Sequence, residues 1–418
     1  MLTHTAVAET TAGEQRDAPE KFPSQQSITF GGASGVQAEL EDLYKYRDEL
    51  LEPDWEKKLL SPWFDWKQDF ADRTGIKMGV NLLMTYQDAS EAPSPGDDSD
   101  AAGGIYRFQG SWTAFQGDNG SVGKLDWRLE ARGDLGTGLA PQELGGQYMA
   151  ALNPGFPYGN NFDTDFSVLS WTQTFNKGRW GYAAGRMAFD VHLDSFAFQS
   201  PYRGFLNRAF ILNPSIGTTG LGALGAAVKG HISDQVWIGA QIYDGNAANG
   251  EFDFDTVQEG EWLKAVEFGW TPGFARRGTD RIQLTYWEKD ERKKAGVSAG
   301  SGWAMSSSYQ LTPDVLGFFR AGHSDGGAGV AAESSASVGF ELKPWAQRAW
   351  TLGLGWSEPS EETHGAGLKD EWVLETSYKM QLTRAISLTP DIQWLHNPAR
   401  LPSKDQLWVF GIRAIITL

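Results

Sequence analysis

Between Lys124 and Asp134 the chain alternates charge and hydrocarbon: Asp126, Arg128, Glu130 and Arg132 fall on one parity, Leu125, Trp127, Leu129 and Ala131 on the other. Successive side chains of a strand point to opposite faces, so charges of both signs would share one wall and apolar groups the other. Such a wall can replace water at the hydroxyls of a solute, and its mixed signs suit neutral polyols better than ions. A second set lies between Val191 and Gly217, where no strand pattern is visible: His192, Asp194, Tyr202, Arg203, Asn207 and Arg208. Phe196, Phe198, Phe205 and Phe210 in the same segment would anchor it to an inner wall. Trp237 and Tyr243 lie on the parity opposite Val236, Ile238 and Ile242, and could offer rings on which apolar solute faces stack. For each residue a plainer role competes, because charges that line a wet wall also brace one another.

Other chemistry finds little support. There is no cysteine, hence no disulfide, thiolate ligand or thiol nucleophile. The six histidines form no H-E-x-x-H or similar spacing, and no Ser/His/Asp arrangement stands out. His231 beside Ser233 reads as a turn. Gly220 to Gly225 matches G-x-G-x-x-G, with Asp244 following, but it opens an alternating strand where a nucleotide site needs a helix. The loop Asp244–Asp255 contains D-G-N-A-A-N-G, in the wrong register for a calcium loop. No catalytic residue, metal or cofactor is therefore expected, and the chain is not read as an enzyme. A formal charge of −17 argues against nucleic acid, which needs a concentrated basic face.

The elements that would position these residues are strands. Of 418 residues 50 are glycine and 13% are aromatic. Mean hydropathy is −0.40, and no apolar run approaches the roughly 18 residues of a membrane helix. From about Gly75 onward some sixteen alternating segments follow one another, many beginning or ending on Trp, Tyr or Phe. Short links (118–122, 176–178, 233–235, 312–314, 344–347, 383–384) alternate with long ones (88–103, 135–161, 191–217, 244–260, 289–300, 322–332, 358–369, 396–404). The last strand, Trp408 to Leu418, carries its apolar stripe on one parity, and Arg413 marks the watered side. The expected fold is all-β: a transmembrane antiparallel β-barrel of about sixteen strands, with short turns on the periplasmic side, long extracellular loops and both ends periplasmic. The faces of the segments at 166–175, 180–190, 221–230, 262–270, 281–287 and 315–321 are not assigned.

Before the barrel, residues 1–34 read as a disordered N-terminus in which Ala6-Val7-Ala8 has the small-x-small form of an export-signal remnant. Residues 35–61 read as a short amphipathic helical segment broken near Pro53, with a capping or periplasmic role preferred over a plug or an oligomerisation element. The barrel would occupy 62–418.

Several stretches resemble the carbohydrate-selective porins of the OprB type. They are W-F-D-W-K-Q-D-F-A-D-R-T-G-I-K (Trp63–Lys77), F-L-N-R-A-F (Phe205–Phe210), Y-D-G-N (Tyr243–Asn246), L-G-L-G-W-S-E-P-S (Leu352–Ser360), and L-T-P-D-I-Q-W-L-H-N-P (Leu388–Pro398) followed by V-F-G-I-R (Val409–Arg413). The family's usual terminal Phe is Leu418 here. The resemblance implies passive diffusion of small sugars through the bacterial outer membrane, with loops folded into the lumen. It implies as partners the permeant sugars, outer-membrane lipid and the barrel-assembly machinery. A general or cation-selective porin is the alternative, with an enzyme or adhesin on a barrel scaffold behind it. The sequence names neither the sugar nor the oligomeric state.

Overall fold

The computed structural model describes residues 30–45, 48–117, 119–159, 162–251 and 254–418. Most of the expected N-terminal segment, including Ala6 to Ala8, lies outside them. The chain enters through α1 (Val36–Tyr44) and α2 (Asp54–Thr74) and then forms sixteen strands with short helices in the loops between them. The strands are β1 (Ile76–Ala89), β2 (Asp100–Gln116), β3 (Val122–Asp134), β4 (Phe162–Phe175), β5 (Trp180–Met187), β6 (Ala223–His231), β7 (Val236–Asp244) and β8 (Trp262–Trp270). They continue as β9 (Arg281–Lys289), β10 (Gly300–Thr312), β11 (Val315–Ser324), β12 (Ala332–Trp345), β13 (Arg348–Pro359), β14 (Glu371–Gln381), β15 (Ile386–His396) and β16 (Gln406–Thr417). Each strand pairs antiparallel with its neighbours in sequence, and β1 pairs with β16 to close the barrel. At that seam Thr85 stands opposite Arg413 and Tyr86 opposite Ile412. No helix among the described residues is long and apolar enough to cross a membrane.

The alternation read from the sequence is the alternation of the wall. In β9, Ile282, Leu284 and Tyr286 are exposed outward while Gln283, Thr285 and Trp287 are buried inward. In β16, Trp408, Phe410 and Ile412 face out, and Arg413 and Thr417 face in. Exposed outward aromatics gather in two bands: Trp112, Phe115, Phe175, Trp180, Trp270, Trp345 and Trp350 at the short-turn end, Tyr86, Trp303, Trp372 and Trp408 at the long-loop end.

Two sequence boundaries move. The strand expected over 180–190 stops at Met187, because Phe189–Val191 form a 3-10 turn that carries the chain into the lumen. The helical segment does not end at 61: α2 runs through Pro62 to Thr74, and the first strand starts only at Ile76. Gly75 makes that junction, with φ 74 and its N–H on Ala71 O, a left-handed helix end that suits glycine. The capping or periplasmic reading of residues 35–61 also fails for α1. Val36, Gln37, Glu39 and Leu40 are buried, and Gln37 and Glu39 bond to inward residues of β2 and β3, so α1 lies inside the barrel. From α1 the chain crosses the short-turn mouth, where Leu50 N and Leu51 N donate to Gln381 O and Leu382 O.

The lumen is filled chiefly by the loops 135–161 and 188–222. Loop 135–161 includes α3 (Pro141–Gly146) and loop 188–222 includes α4 (Arg208–Ile211). Phe196, Phe198, Phe205 and Phe210 cluster around Phe318 of the β11 wall, with ring centroids 4.9–6.0 Å from it. The wall yields space for them: a Cβ on Gly353 of β13 would stand 2.7 Å from the Phe210 ring. Arg413, fully buried, donates to Pro201 O (3.0 Å), Gly204 O (3.3 Å) and Arg203 O. Replacing Arg413 by Leu strands these carbonyls, each charge-assisted bond being worth roughly 1.5–3 kcal/mol. The expected result is a barrel that still migrates as a heat-modifiable species while trypsin now cuts within 200–210; unchanged protease resistance would refute the clamp.

At the other end α5 (Glu361–His364) meets the 397–405 loop. His364 holds Ala331 O through Nε2 (3.1 Å) and faces Arg400 through Nδ1 (3.0 Å). Burial, then the Arg400 charge, pushes its pKa down to about 4. A base with a depressed value stabilises the contact fully above the ordinary histidine range and progressively less as pH falls towards about 4. NMR titration of His364 should give a midpoint near that value, returning towards the ordinary range in Arg400→Ala.

Candidate functional site

The β3 ladder faces the lumen, and α1 is built onto it. Glu39 of α1 pairs with Arg107 of β2 (3.2 Å) and Arg128 (2.7 Å). Arg107 also holds Glu130, to which Arg132 donates at 2.6 Å. Arg132 continues to Pro157 O (3.2 Å) in the 135–161 loop, and Arg128 to Ser34 O (3.1 Å). Asp126 accepts from Gln37 (2.7 Å) and Thr172 (3.1 Å). Asp126, Arg128 and Glu130 are all buried, each at most 5% exposed. These candidates are thus bonded to protein. Arg107 and Glu39, which tie them together, were not singled out from the sequence. Arg107 was legible, since it lies between Tyr106 and Phe108 on the inward parity; Glu39 was not, since nothing in the sequence puts its helix in the lumen.

The 188–222 loop distributes its candidates widely. Asn207 is a structural hub: its Oδ1 caps α4 at Ala209 N (3.0 Å), its Nδ2 donates to Leu152 O and Gln393, and its N–H donates to Glu375 (2.9 Å). Arg208 is half-buried, its guanidinium 4.8 Å from the Phe156 ring. Asp194 pairs with Arg320 of β11, and its N–H donates to Glu267 (2.8 Å). His192 lies 5.2 Å from the Phe30 ring, and burial pushes its pKa down to about 3, so the imidazole is neutral near pH 7. Tyr202 lies against Arg107. Arg203 reaches Glu341 of β12 (3.4 Å) with 28% of its side chain exposed.

Two cavities adjoin these groups at the short-turn end. The larger, about 310 Å³, lies between α1, the 188–222 loop and the β12–β14 wall. Its lining includes Glu39, Asp42, Lys45, Asp48, Tyr202, Arg203, Glu341, Lys343, Arg348, Lys379 and Gln381. The smaller, about 70 Å³, is lined by Phe30, Lys229, His231, Trp237, Arg277 and Arg281 among others. Trp237 therefore points inward onto a cavity, but cations already flank it, Lys229 at 4.2 Å and Arg281 at 5.0 Å from the ring. Tyr243 also points inward, fully buried in an apolar cluster with Leu212, Ile216 and Trp287. Of the sequence candidates, Tyr202, Arg203 and Trp237 line these two spaces, while Asp126, Arg128, Glu130, Arg132, Asn207 and Tyr243 are packed among protein groups. No group of three or more His, Cys, Asp and Glu side chains is placed to hold a metal among the described residues.

A sixteen-stranded barrel whose fifteenth strand carries T-P-D-I-Q has known counterparts. Residues 318–418 match the sequence model of the family described as carbohydrate-selective porin, OprB family. The matched segment runs from β11 to the end of β16. Among curated proteins, Porin AaxA of Chlamydia felis is 24% identical over 335 residues, covering 73% of this chain and 68% of that protein. The barrel superposes on Pseudomonas putida OprB in its high-pH structure with a TM-score of 0.69 at 12% identity, covering 90% of this chain and all of the other. The low-pH structure of the same protein gives 0.53 at 11% identity over 86% of this chain. The family match of the closing segment and the barrel fold together point to a porin channel of the Gram-negative outer membrane and away from an enzyme.

The α1 contact is open to test. Glu39→Gln leaves Arg107 and Arg128 without their shared carboxylate, and breaking a buried pair costs about 3–5 kcal/mol. The expected outcome is release of α1 and a larger single-channel conductance with the barrel intact; unchanged conductance in a folded variant would refute the plug.

Proposed function

We propose that the chain is a passive channel for small carbohydrates, with the 188–222 loop and α1 narrowing the lumen. The observation that carries this reading is the composition of the 310 Å³ cavity. That volume is at the lower end of small-molecule sites, roughly 300–1,000 Å³. Its carboxylates, Glu39, Asp42, Asp48 and Glu341, are interleaved with Lys45, Arg203, Lys343, Arg348 and Lys379. Near-balanced charge gives no strong preference for either ion sign, yet supplies donors and acceptors at short spacing for the hydroxyls of a neutral sugar. The carbohydrate-selective family of the closing segment favours the same class. A cation-selective pore would line this space mainly with carboxylates, so the overall negative charge of the chain does not decide selectivity.

In this reading Arg203 is the first residue to engage solute, since it is the sequence candidate with the most exposed charge on the larger cavity. Asp126, Arg128, Glu130, Arg132, Asn207 and Arg208 would meet sugar only when α1 or the loop shifts, and Trp237 would offer its face in the smaller space. Planar-bilayer recording with a panel of neutral mono- and disaccharides tests this. Sugar should reduce ion current in a saturable way, and Arg203→Ala should raise the half-blocking concentration roughly tenfold, the equivalent of one hydrogen bond to a charged group. A steady cation current that no sugar reduces would favour the general porin instead.

A further inference from the structure

The stretch W-F-D-W-K-Q-D-F (Trp63–Phe70) lies in α2 and takes no part in the channel. At 3.6 residues per turn α2 divides into three arcs. Glu56, Phe64, Lys67 and Ala71 are buried against the short-turn end of the barrel. There Glu56 Oε1 accepts from Ala385 N (2.8 Å) and Arg384 lies over the Phe64 ring (4.1 Å). Beside this arc Trp55, Leu59, Trp63, Trp66 and Phe70 follow one another at helical spacing as a single stripe. Trp55 is 49% exposed, Leu59 69% and Trp66 43%. The third arc is polar, with Lys57, Lys58, Asp65, Gln68, Asp69 and Asp72.

A helix that only braced a barrel mouth in water would be polar wherever the barrel leaves it uncovered. The apolar surface of α2 is instead wider than the arc the barrel covers. Its rings form a continuous plate, with Trp63 and Trp66 stacked at 5.1 Å and Trp66 and Phe70 at 5.3 Å. The plate also continues an existing surface. Through Gly75 the helix passes directly into Ile76, which stands opposite Trp112 of β2. Trp112 (41% exposed) and Phe115 (47%) belong to the outward aromatic band at the short-turn end.

We propose that α2 is an interfacial anchor, its Trp55-Leu59-Trp63-Trp66-Phe70 stripe lying among the headgroups of the periplasmic leaflet and its polar arc facing the periplasm. Tryptophan favours this depth because its ring is apolar while its N–H needs a polar partner. An amphipathic helix with one apolar side lies in the interface plane and does not span. The anchor would fix the height and tilt of β1 and hold the segment that leads into α1. It rests on the barrel's residence in a membrane and not on the identity of its solute.

Because the chain has no cysteine, single nitroxide labels can be placed without background. Leu59→Cys and Trp66→Cys sample the stripe, Asp65→Cys and Gln68→Cys the polar arc, and Trp112→Cys the outward barrel wall. The labelled full-length proteins are placed in vesicles of phosphatidylethanolamine and phosphatidylglycerol. Oxygen should relax the labels at 59, 66 and 112 more than a water-soluble nickel chelate does, with the order reversed at 65 and 68. Nickel reaching 59 and 66 as readily as 65 and 68, while 112 remains in lipid, would overturn the anchor. Labels at 59 and 66 that are shielded from both agents, and that broaden each other until diluted with unlabelled protein, would overturn it in favour of a second copy of the chain. A water-exposed label at 112 would instead indict the membrane barrel itself, and heat-modifiable migration verifies that each variant is folded.

Discussion

A loop taken into the centre of a barrel must find a partner for every backbone N–H and C=O it removes from water, and that requirement organises the lumen. The wall supplies the partners from its inward side chains. Glu371 accepts from Ala150 N (2.6 Å), Ala151 N (2.9 Å) and Leu152 N (3.0 Å). Glu375 accepts from Leu206 N (2.6 Å) and Asn207 N (2.9 Å). Carbonyls are met by Arg413, by Lys379 at Tyr202 O (2.8 Å), by Ser377 at Gly204 O (3.0 Å) and by Ser337 at Ala209 O (3.0 Å). Inward charges on these strands serve first as partners for loop backbone.

The β3 ladder obeys the same rule with a helix as partner. Buried ion pairs lose hydration, so a network such as Glu39, Arg107, Arg128, Glu130 and Arg132 contributes geometry more than net stability. It fixes α1 against one sector of the wall and, by doing so, leaves the opposite sector open. Charges of both signs also surround the larger cavity. The charged face of β3 is thus the support on which α1 rests.

The outward half of the fold was legible because lipid asks only for apolar side chains at every second position, a local pattern. Strand number, the β1–β16 seam, the sidedness of the turns and the inward aim of Arg413, Trp237 and Tyr243 all follow from it. The faces of β8 and β9 resisted assignment for a physical reason: their inner wall is partly apolar where the loop docks. Leu263, Ala265 and Trp287 pack there with Leu212 and Ile216, so Tyr286 and Trp287 put aromatic rings on both parities. The α2 boundary was missed because Pro62 argues locally against a helix while burial of Phe64, Lys67 and Ala71 against the barrel overrides it. The pairing of Glu39 with Arg107 and Arg128 joins elements far apart in sequence, and no spacing rule encodes it.

Blurred and clean alternation therefore carry different information about the inside. Where the inward parity turns apolar, as in β8, β9 and at Phe318 of β11, the lumen is closed by packing, and the closure is as stiff as a protein core. Where it is charged and matched by α1, as in β2 and β3, the lumen is closed by ion pairs, a closure that one substitution or a change of charge can release. Where charges of both signs face the larger cavity, as at Glu341, Lys343, Arg348 and Lys379 of β12 to β14, open space remains. Any widening of the lumen has to come from α1, since the phenylalanine cluster on β11 and β13 can move only by breaking an apolar core.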